Sequence, residues 1–514
     1  MARRRGRPAA RVAAGIIVSR LLGFVRQAVF ARFFGASPAA GAFLAALRIP
    51  NAIRNLLGEG TLSASFIPVY AGMLARGEDE DARRLSSAIV SLLIVVTVAA
   101  AGLGILLAPW ITDAVAPGFS GSTRALTIAL VRIMFPMSGL MIVSAWCLGV
   151  LNTHGRFFLS YAAPAFWNVV QIATLVTFGA WLFRLAGASL AHALAWGALA
   201  GAGVQLGVQL PSTLRLSGRF TWSPSLAVKG VRQVVHAWIP VVFGAGVNQV
   251  SSIIDTVLAS LLGAAAVATL NYAMLLYLLP LSIFGVSVAA ASLPEMSRRA
   301  AVAEPEALRR EIALGARRVV YFVVPSAFGL AALGTPIVAA LYQRGAFRAY
   351  DTTVVAGVLA AFALGLLGQA SVKLFASGFY ALGDTKTPVR IAAFSVALSA
   401  ALGAYLMQFF GAAGIALGSA IGGYVSVTLH IMDLQKRIGP LVGPEERRGL
   451  LATLAGAVAA AAAGMAVLHA LGARNPWLLT ALAGAAFALA YGGVTLLLGH
   501  PDARRIVQRE RSTP

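Results

Sequence analysis

Ser91-Leu-Leu-Ile-Val-Val-Thr-Val-Ala-Ala-Ala-Gly-Leu-Gly-Ile-Leu-Leu107 carries no charge, and its only polar groups are two hydroxyls. A run of about 20 apolar residues is the length that crosses a bilayer as a helix. Hydrocarbon offers no water to backbone N–H and C=O groups, so only helices or closed barrels span it. A continuous apolar run, as opposed to an alternating one, selects the helix. Ile391–Met407 and Leu451–Leu468 read the same way. Working outward, the 514 residues are 59% hydrophobic and 11% charged, where soluble chains carry about 25% charge. The chain is therefore expected to be an all-α polytopic membrane protein.

Fourteen spans are expected, with approximate cores at 12–34, 39–73, 86–110, 124–150, 158–183, 186–211, 233–262, 265–294, 314–340, 352–380, 388–409, 412–434, 449–471 and 476–499. The distribution of Lys and Arg tests that count, because connections on the cytoplasmic side hold the excess. If the end bearing Arg3, Arg4, Arg5 and Arg7 is cytoplasmic, the same side gains Arg83 and Arg84, then Arg215, Arg219 and Lys229. It also gains Arg298, Arg299, Arg309 and Arg310, then Lys436, Arg437, Arg447 and Arg448, and finally Arg504, Arg505, Arg509 and Arg511. Opposite connections hold little beyond Arg124, Arg184, Arg344, Arg348 and Arg474. A single false span would invert everything after it, yet the alternation never breaks. Both termini are placed in the cytoplasm. Topology accounts for the net charge of +23. No basic stretch interleaved with aromatics offers a groove for nucleic acid.

A weak internal repeat runs at an offset near 228 residues. Ala31-Arg-Phe-Phe-Gly-Ala36 reads like Ala259-Ser-Leu-Leu-Gly-Ala264, with Pro50 and Pro280 in the helices that follow; Gly155 and Gly383 sit in matching turns. The offset covers six spans, an even number, so the halves are parallel repeats about an axis along the membrane normal. The expected division is an N-terminal lobe at 1–220, a C-terminal lobe at 221–440, and spans 13 and 14 with a basic tail at 441–514. The basic start of the chain could head a secretory signal, but Arg20 and Arg26 interrupt the apolar segment after it, which fits a retained first helix.

Charge inside a span costs at least ~2.5–3.5 kcal/mol at its centre, so each instance asks for a cause. The first span holds Ser19, Arg20, Arg26 and Gln27; the second holds Arg48, Asn51, Arg54 and Glu59. Arg20 and Arg26 fall about 120° apart around a helix, enough to share a broad cavity wall. Arginine suits an anionic substrate group, since its planar fork grips phosphate oxygens bidentately and keeps its charge when desolvated. Arg11 and Arg32, nearer the span ends, fit snorkelling to headgroups. For Arg20, Arg26 and Arg54 the cavity is favoured, because the two spans hold too little acid to pair them. Glu59 fits a structural partner of Arg54 or Arg48, with a proton carrier as the alternative. Pro50, Gly58, Gly60 and Pro68 make the second span a candidate hinge or a static kink. Asp255 could hold a coupling cation or proton, or bond to neighbouring helices; Lys373 could face a cavity or snorkel. The lone Cys147 excludes a disulfide framework and fits a packing role. His154, His192, His236, His430, His469 and His500 lack metal-ligand spacing. No nucleotide loop, nucleophile elbow or paired carboxylates appear. No cofactor, metal or enzyme activity is expected.

Ser19-Arg-Leu-Leu-Gly-Phe-Val-Arg26, Phe33-Phe-Gly-Ala36 and Leu47-Arg-Ile-Pro-Asn-Ala-Ile-Arg54 closely resemble the MurJ (MviN) family. So do Gly58-Glu-Gly-Thr-Leu-Ser-Ala-Ser-Phe-Ile-Pro68, Leu151-Asn-Thr-His-Gly-Arg-Phe157, Leu341-Tyr-Gln-Arg-Gly-Ala-Phe347 and Gly378-Phe-Tyr-Ala-Leu-Gly-Asp-Thr-Lys-Thr-Pro388. The resemblance implies a lipid II flippase of the multidrug/oligosaccharidyl-lipid/polysaccharide exporter superfamily. Its substrate would be an undecaprenyl pyrophosphate bearing a disaccharide-pentapeptide. It also implies that Arg20, Arg26 and Arg54 line a central cavity and serve the pyrophosphate, with Ser19 nearby, and that the last two spans form a groove for the lipid tail. The chain departs from the family pattern at several positions. Gln27 and Gly41 stand where acids are common, and Leu275 stands where an arginine is expected. Gly403 replaces the amide of a sodium site whose first ligand Asp255 would match. Other polyprenyl-linked glycans, export of drugs, and a non-transporting scaffold for cell-wall synthesis enzymes are the alternatives. A drug exporter of cations would need acids in the cavity.

Overall fold

Every regular element among the described residues is helical, as apolar runs of membrane length require. This computed structural model describes residues 2–58, 60–302, 304–441, 443–472 and 475–505, and the side chains of all of these except 2–13, Phe243, Val247, Asn248 and Pro444. The expected contributions of Glu59, of Asn248, of the N-terminal arginines up to Arg11, and of Arg474, Arg509 and Arg511 lie outside the described side chains.

By contact the chain forms two compact units, Met1–Ala268 with Arg344–Phe347, and Thr269–Gln343 with Arg348–Pro514. The first holds α1 (Ala2–Phe34), α2 (Pro38–Leu57), α3 (Thr61–Ala75), α4 (Asp79–Leu106), α5 (Ala108–Val115), α6 (Gly121–Thr153), α7 (Phe157–Val176), α8 (Gly187–Ser217) and α9 (Val231–Leu261). α10 (Ala264–Pro280) leads into the second, which continues with α11 (Ser287–Ala301), α12 (Pro305–Ala332), α13 (Gly334–Tyr342), α14 (Ala349–Ala381), α15 (Lys386–Phe410), α16 (Ala412–Ile438), α17 (Pro444–Leu471) and α18 (Pro476–Leu497). π-helical stretches at Thr177–Trp181 and Leu281–Val286 extend α7 and join α10 to α11.

Thirteen helices or helix runs among the described residues are long and apolar enough to cross a membrane. They answer to thirteen of the fourteen expected spans. The other, expected at 39–73 as one interrupted helix, is two helices. Gly60 adopts φ 84° between α2 and α3, a left-handed conformation that favours glycine. The Thr61 hydroxyl then donates to the carbonyls of Leu56 and Gly58, so the break satisfies orphan acceptors of the helix before it. The surface is apolar where lipid would lie, with Leu489 and Leu497 strongly exposed, and Trp110, Trp181 and Trp477 stand exposed near span ends.

Inside the first unit, Phe66, Tyr70, Leu85 and Trp146 are buried in one core. Some of the polar groups buried in this unit pair across helices. Gln205 donates to Ser144 at 2.9 Å, and Ser144 donates to Gln209 at 2.6 Å, linking α6 to α8. The connection after α8 is tied down by Lys229, which bridges Glu78 and Asp81. Hydrogen bonds from Arg76 and then Lys229 bring the Glu78 carboxyl down to about 2. In the second unit α14 packs on α11, α12 and α16, and Gly365 and Gly368 meet the α16 backbone too closely for any side chain. Arg317 of α12 and Asp502, just beyond α18, form a buried ion pair at 3.0 Å. His500 stacks on Tyr321 beside it, with ring centroids 4.6 Å apart.

The turns at Gly155 and Gly383 share their backbone hydrogen bonding. Gly155 donates to the Asn152 carbonyl and Arg156 to the Leu151 carbonyl; Gly383 donates to Tyr380 and Asp384 to Phe379. Both glycines are left-handed, at φ 72° and 75°.

Candidate substrate site

α1 packs on α7, and α2 packs on α6 and α9. These neighbours determine what each arginine meets. The Arg26 guanidinium lies over the Trp167 ring of α7, 4.9 Å from its centroid, a cation–π contact that holds the charge and leaves its donors free. Trp167 is itself fixed by donating its indole N–H to the Ala198 carbonyl at 3.0 Å. Arg54 reaches Met141 Sδ at 3.5 Å and Asn55 Oδ1 at 3.4 Å, two weak acceptors. The Nε atoms of both arginines are buried without a hydrogen-bond partner among the described residues, and so is Gln27 Nε2. The two guanidinium groups are near enough for each to feel the other's charge. Among the described residues neither forms an ion pair. Two like charges with unfilled donors make a local excess of donors over acceptors, which is the chemistry of an anion site.

The remaining expected residues go elsewhere. Arg20 is exposed on α1 and forms no ion pair among the described residues. Ser19 is half-buried, and its backbone carbonyl accepts from Asn168 at 3.4 Å. Asn51 keeps a buried Oδ1 without a donor. Arg48 turns to α9, donating to Thr256 Oγ1 at 2.7 Å and Ser252 Oγ at 2.8 Å, and it lies within electrostatic reach of Asp255. Asp255 therefore has a cation beside it from the protein's own chain. Lys373 is exposed on α14 in the second unit. Gly41, where the resemblance implies an acid, abuts the Ala264 backbone so closely that no side chain fits. Gly403 likewise lies against Gly418 in the α15–α16 contact. Leu275 is half-buried on α10. Neither Trp167 nor Asn168 was singled out from the sequence. The signal was Trp167, Asn168 and Gln171 together on one face of an otherwise apolar span. Among the described residues, no group of three or more His, Cys, Asp or Glu could hold a metal.

A protein-family model described as "Lipid II flippase MurJ" matches residues 30–487. The lipid II flippase MurJ of Burkholderia cenocepacia is 34% identical over 428 residues, 82% of each chain. A probable lipid II flippase MurJ of Rhizobium tropici is 33% identical over 82% of this chain and 79% of its own. Among solved structures, a lipid II flippase MurJ in an inward closed conformation superimposes with a TM-score of 0.79 at 22% identity, covering 96% of this chain and 99% of that one. An inward-facing MATE-family multidrug transporter of the MOP superfamily gives 0.68 at 15% identity, over 84% of this chain and 98% of its own. These two likenesses are of fold.

Proposed function

Since the chain belongs to the lipid II flippase MurJ family, transporters and not enzymes, we propose that Arg26 and Arg54 hold the pyrophosphate of lipid II while the molecule crosses from the cytoplasmic to the periplasmic leaflet. One observation carries the proposal: two neighbouring guanidinium groups, without a carboxylate partner among the described residues, keep buried Nε donors unfilled. Arg20, exposed on the same helix as Arg26, draws the headgroup in. Asn51 and Ser19 add polar contacts. The polyprenyl tail stays in lipid throughout.

The two six-span halves rock about the α2–α3 break and give alternating access. Membrane potential is the drive, worth about 2.3 kcal/mol per charge per 100 mV. Sodium has no part in this reading, because the Arg48 cation lies within electrostatic reach of Asp255 and Gly403 offers no ligand side chain. Both termini lie in the cytoplasm, on the side to which the arginine-rich connections assign them, and the membrane is the bacterial inner membrane.

The test replaces Arg20, Arg26 and Arg54 with alanine in flippase-depleted cells and follows both growth and lipid-linked precursor. Precursor accumulation with arrested growth is the expected result. Normal growth with all three replaced overturns the mechanism. Arrested growth without accumulation points to a scaffold for cell-wall enzymes, and growth that depends on a different polyprenyl-linked glycan reassigns the substrate.

A further inference from the structure

Away from the arginines, the first unit contains a cavity of about 560 Å³ between α4, α6 and α8. Ile94, Val98, Leu140, Val143, Leu206 and Leu210 form its walls. Small residues leave the space open. A Cβ on Gly139 of α6 would lie 3.2 Å from Thr97 Cβ of α4, closer than ordinary contact, and Ala101 contributes a single methyl. Val98 and Leu214 line it while remaining exposed, so the cavity opens sideways at the depth of the spans. Its few polar groups are already used: the Thr97 hydroxyl donates to the Ile94 carbonyl at 3.2 Å, and the Trp146 indole to Ser86 at 3.1 Å. Water needs two to four polar partners to occupy such a space. Only an apolar guest fits.

Leu214 and Phe220 also line the cavity. Phe220 is held there because the segment after α8 runs back along α4, with Thr221 N donating to Ser87 at 3.4 Å and Ser223 N to Ser91 at 3.2 Å. Arg215 follows Leu214 and Arg219 precedes Phe220. Both are exposed and form no ion pair among the described residues, whereas Arg83 and Arg84 on α4 pair with Glu80. An apolar slot in the hydrocarbon thus ends beside two uncommitted cations at the interface. We propose that this slot binds one acyl chain of an anionic phospholipid, with its phosphate on Arg215 and Arg219, as a resident lipid distinct from the transported substrate.

The test uses the purified full chain in nanodiscs of phosphatidylglycerol and phosphatidylcholine, with native mass spectrometry of the lipid retained. The wild type is expected to keep phosphatidylglycerol. Ala101→Phe fills the slot and should lose it at unchanged Tm. Arg215→Gln and Arg219→Gln should each lower the preference for phosphatidylglycerol over phosphatidylcholine about fivefold, the worth of one basic residue at a charged interface. As a second measurement, phosphatidylglycerol brominated on its chains should quench wild-type tryptophan fluorescence more than that of Trp146→Phe. Equal retention in Ala101→Phe, no preference for the anionic lipid, or no Trp146-dependent quenching overturns the proposal. Displacement of phosphatidylglycerol by undecaprenyl phosphate does so too, by giving the slot to the substrate.

Discussion

Arg26 and Arg317 are both arginines set into apolar helices, one in each unit, and their surroundings differ in one respect. Arg317 faces Asp502 at 3.0 Å, with both side chains almost fully buried. Arg26 faces an aromatic ring and a second arginine. Removing one partner of a buried ion pair exposes an uncompensated charge, so Arg317 belongs to the fold. A guanidinium that has no counter-ion costs stability as it stands, and such a group persists where something outside the chain completes it. The partner is what separates their roles. Arg48 is intermediate, anchored by two hydroxyls and by the charge of Asp255.

The contrast predicts a double dissociation. Its largest effect is at Arg317: alanine there should cost about 3–5 kcal/mol of stability, read as a lower Tm in detergent. Replacing both partners, Arg317→Met with Asp502→Leu, should recover most of that. If the single change leaves Tm untouched, the ion pair is not structural and the comparison fails. Next comes Arg26→Ala, which should leave Tm unchanged or raised while slowing lipid II flipping in vesicles. Loss of a charged hydrogen bond is worth about 2 kcal/mol, roughly thirtyfold in rate. Arg26→Lys should restore only part of it, because an ammonium lacks the planar fork.

Arg48→Ala should fall between them, costing about 1–2 kcal/mol through its lost bonds to Thr256 and Ser252. Adding Asp255→Asn should return some of that, since the carboxylate no longer lacks its cation. A flipping defect in Arg48→Ala as deep as that of Arg26→Ala at wild-type Tm would move Arg48 into the substrate site.

The smallest effect is in pH. Burial holds the His500 imidazole below its ordinary value, against the opposing charge of Asp502. The folded state thus binds its proton less readily than the unfolded state. The stability this gives is full above about 6.5, the ordinary value, and is lost as pH falls through the lower folded value. Tm should drop in that window and His500→Phe should flatten the drop; an unchanged pH profile would remove His500 from the structural cluster around Arg317.

Much of the site was legible because charge in hydrocarbon is conspicuous: Arg20, Arg26, Arg48 and Arg54 announce themselves against apolar neighbours. Their division into bound and unbound was not legible. Arg48 and Arg54 lie six residues apart on α2, and the partners of Arg48 come from some two hundred residues away. Trp167 was hidden because an aromatic residue in an apolar span looks like packing. Gly41 and Gly403 read as missing acids and amides, and in space they are places where backbones touch.

The sequence by itself determined a polytopic helical chain, most of its spans and its family, because the bilayer imposes length and polarity on every segment locally. Only the tertiary structure decided that the expected second span breaks in two, that Arg48 and Arg317 have partners, and that Arg26 and Arg54 share a neighbourhood in which no carboxylate pairs with them among the described residues. The reason is that pairing depends on which helix faces arrive side by side, and that is a property of packing between segments remote in the chain.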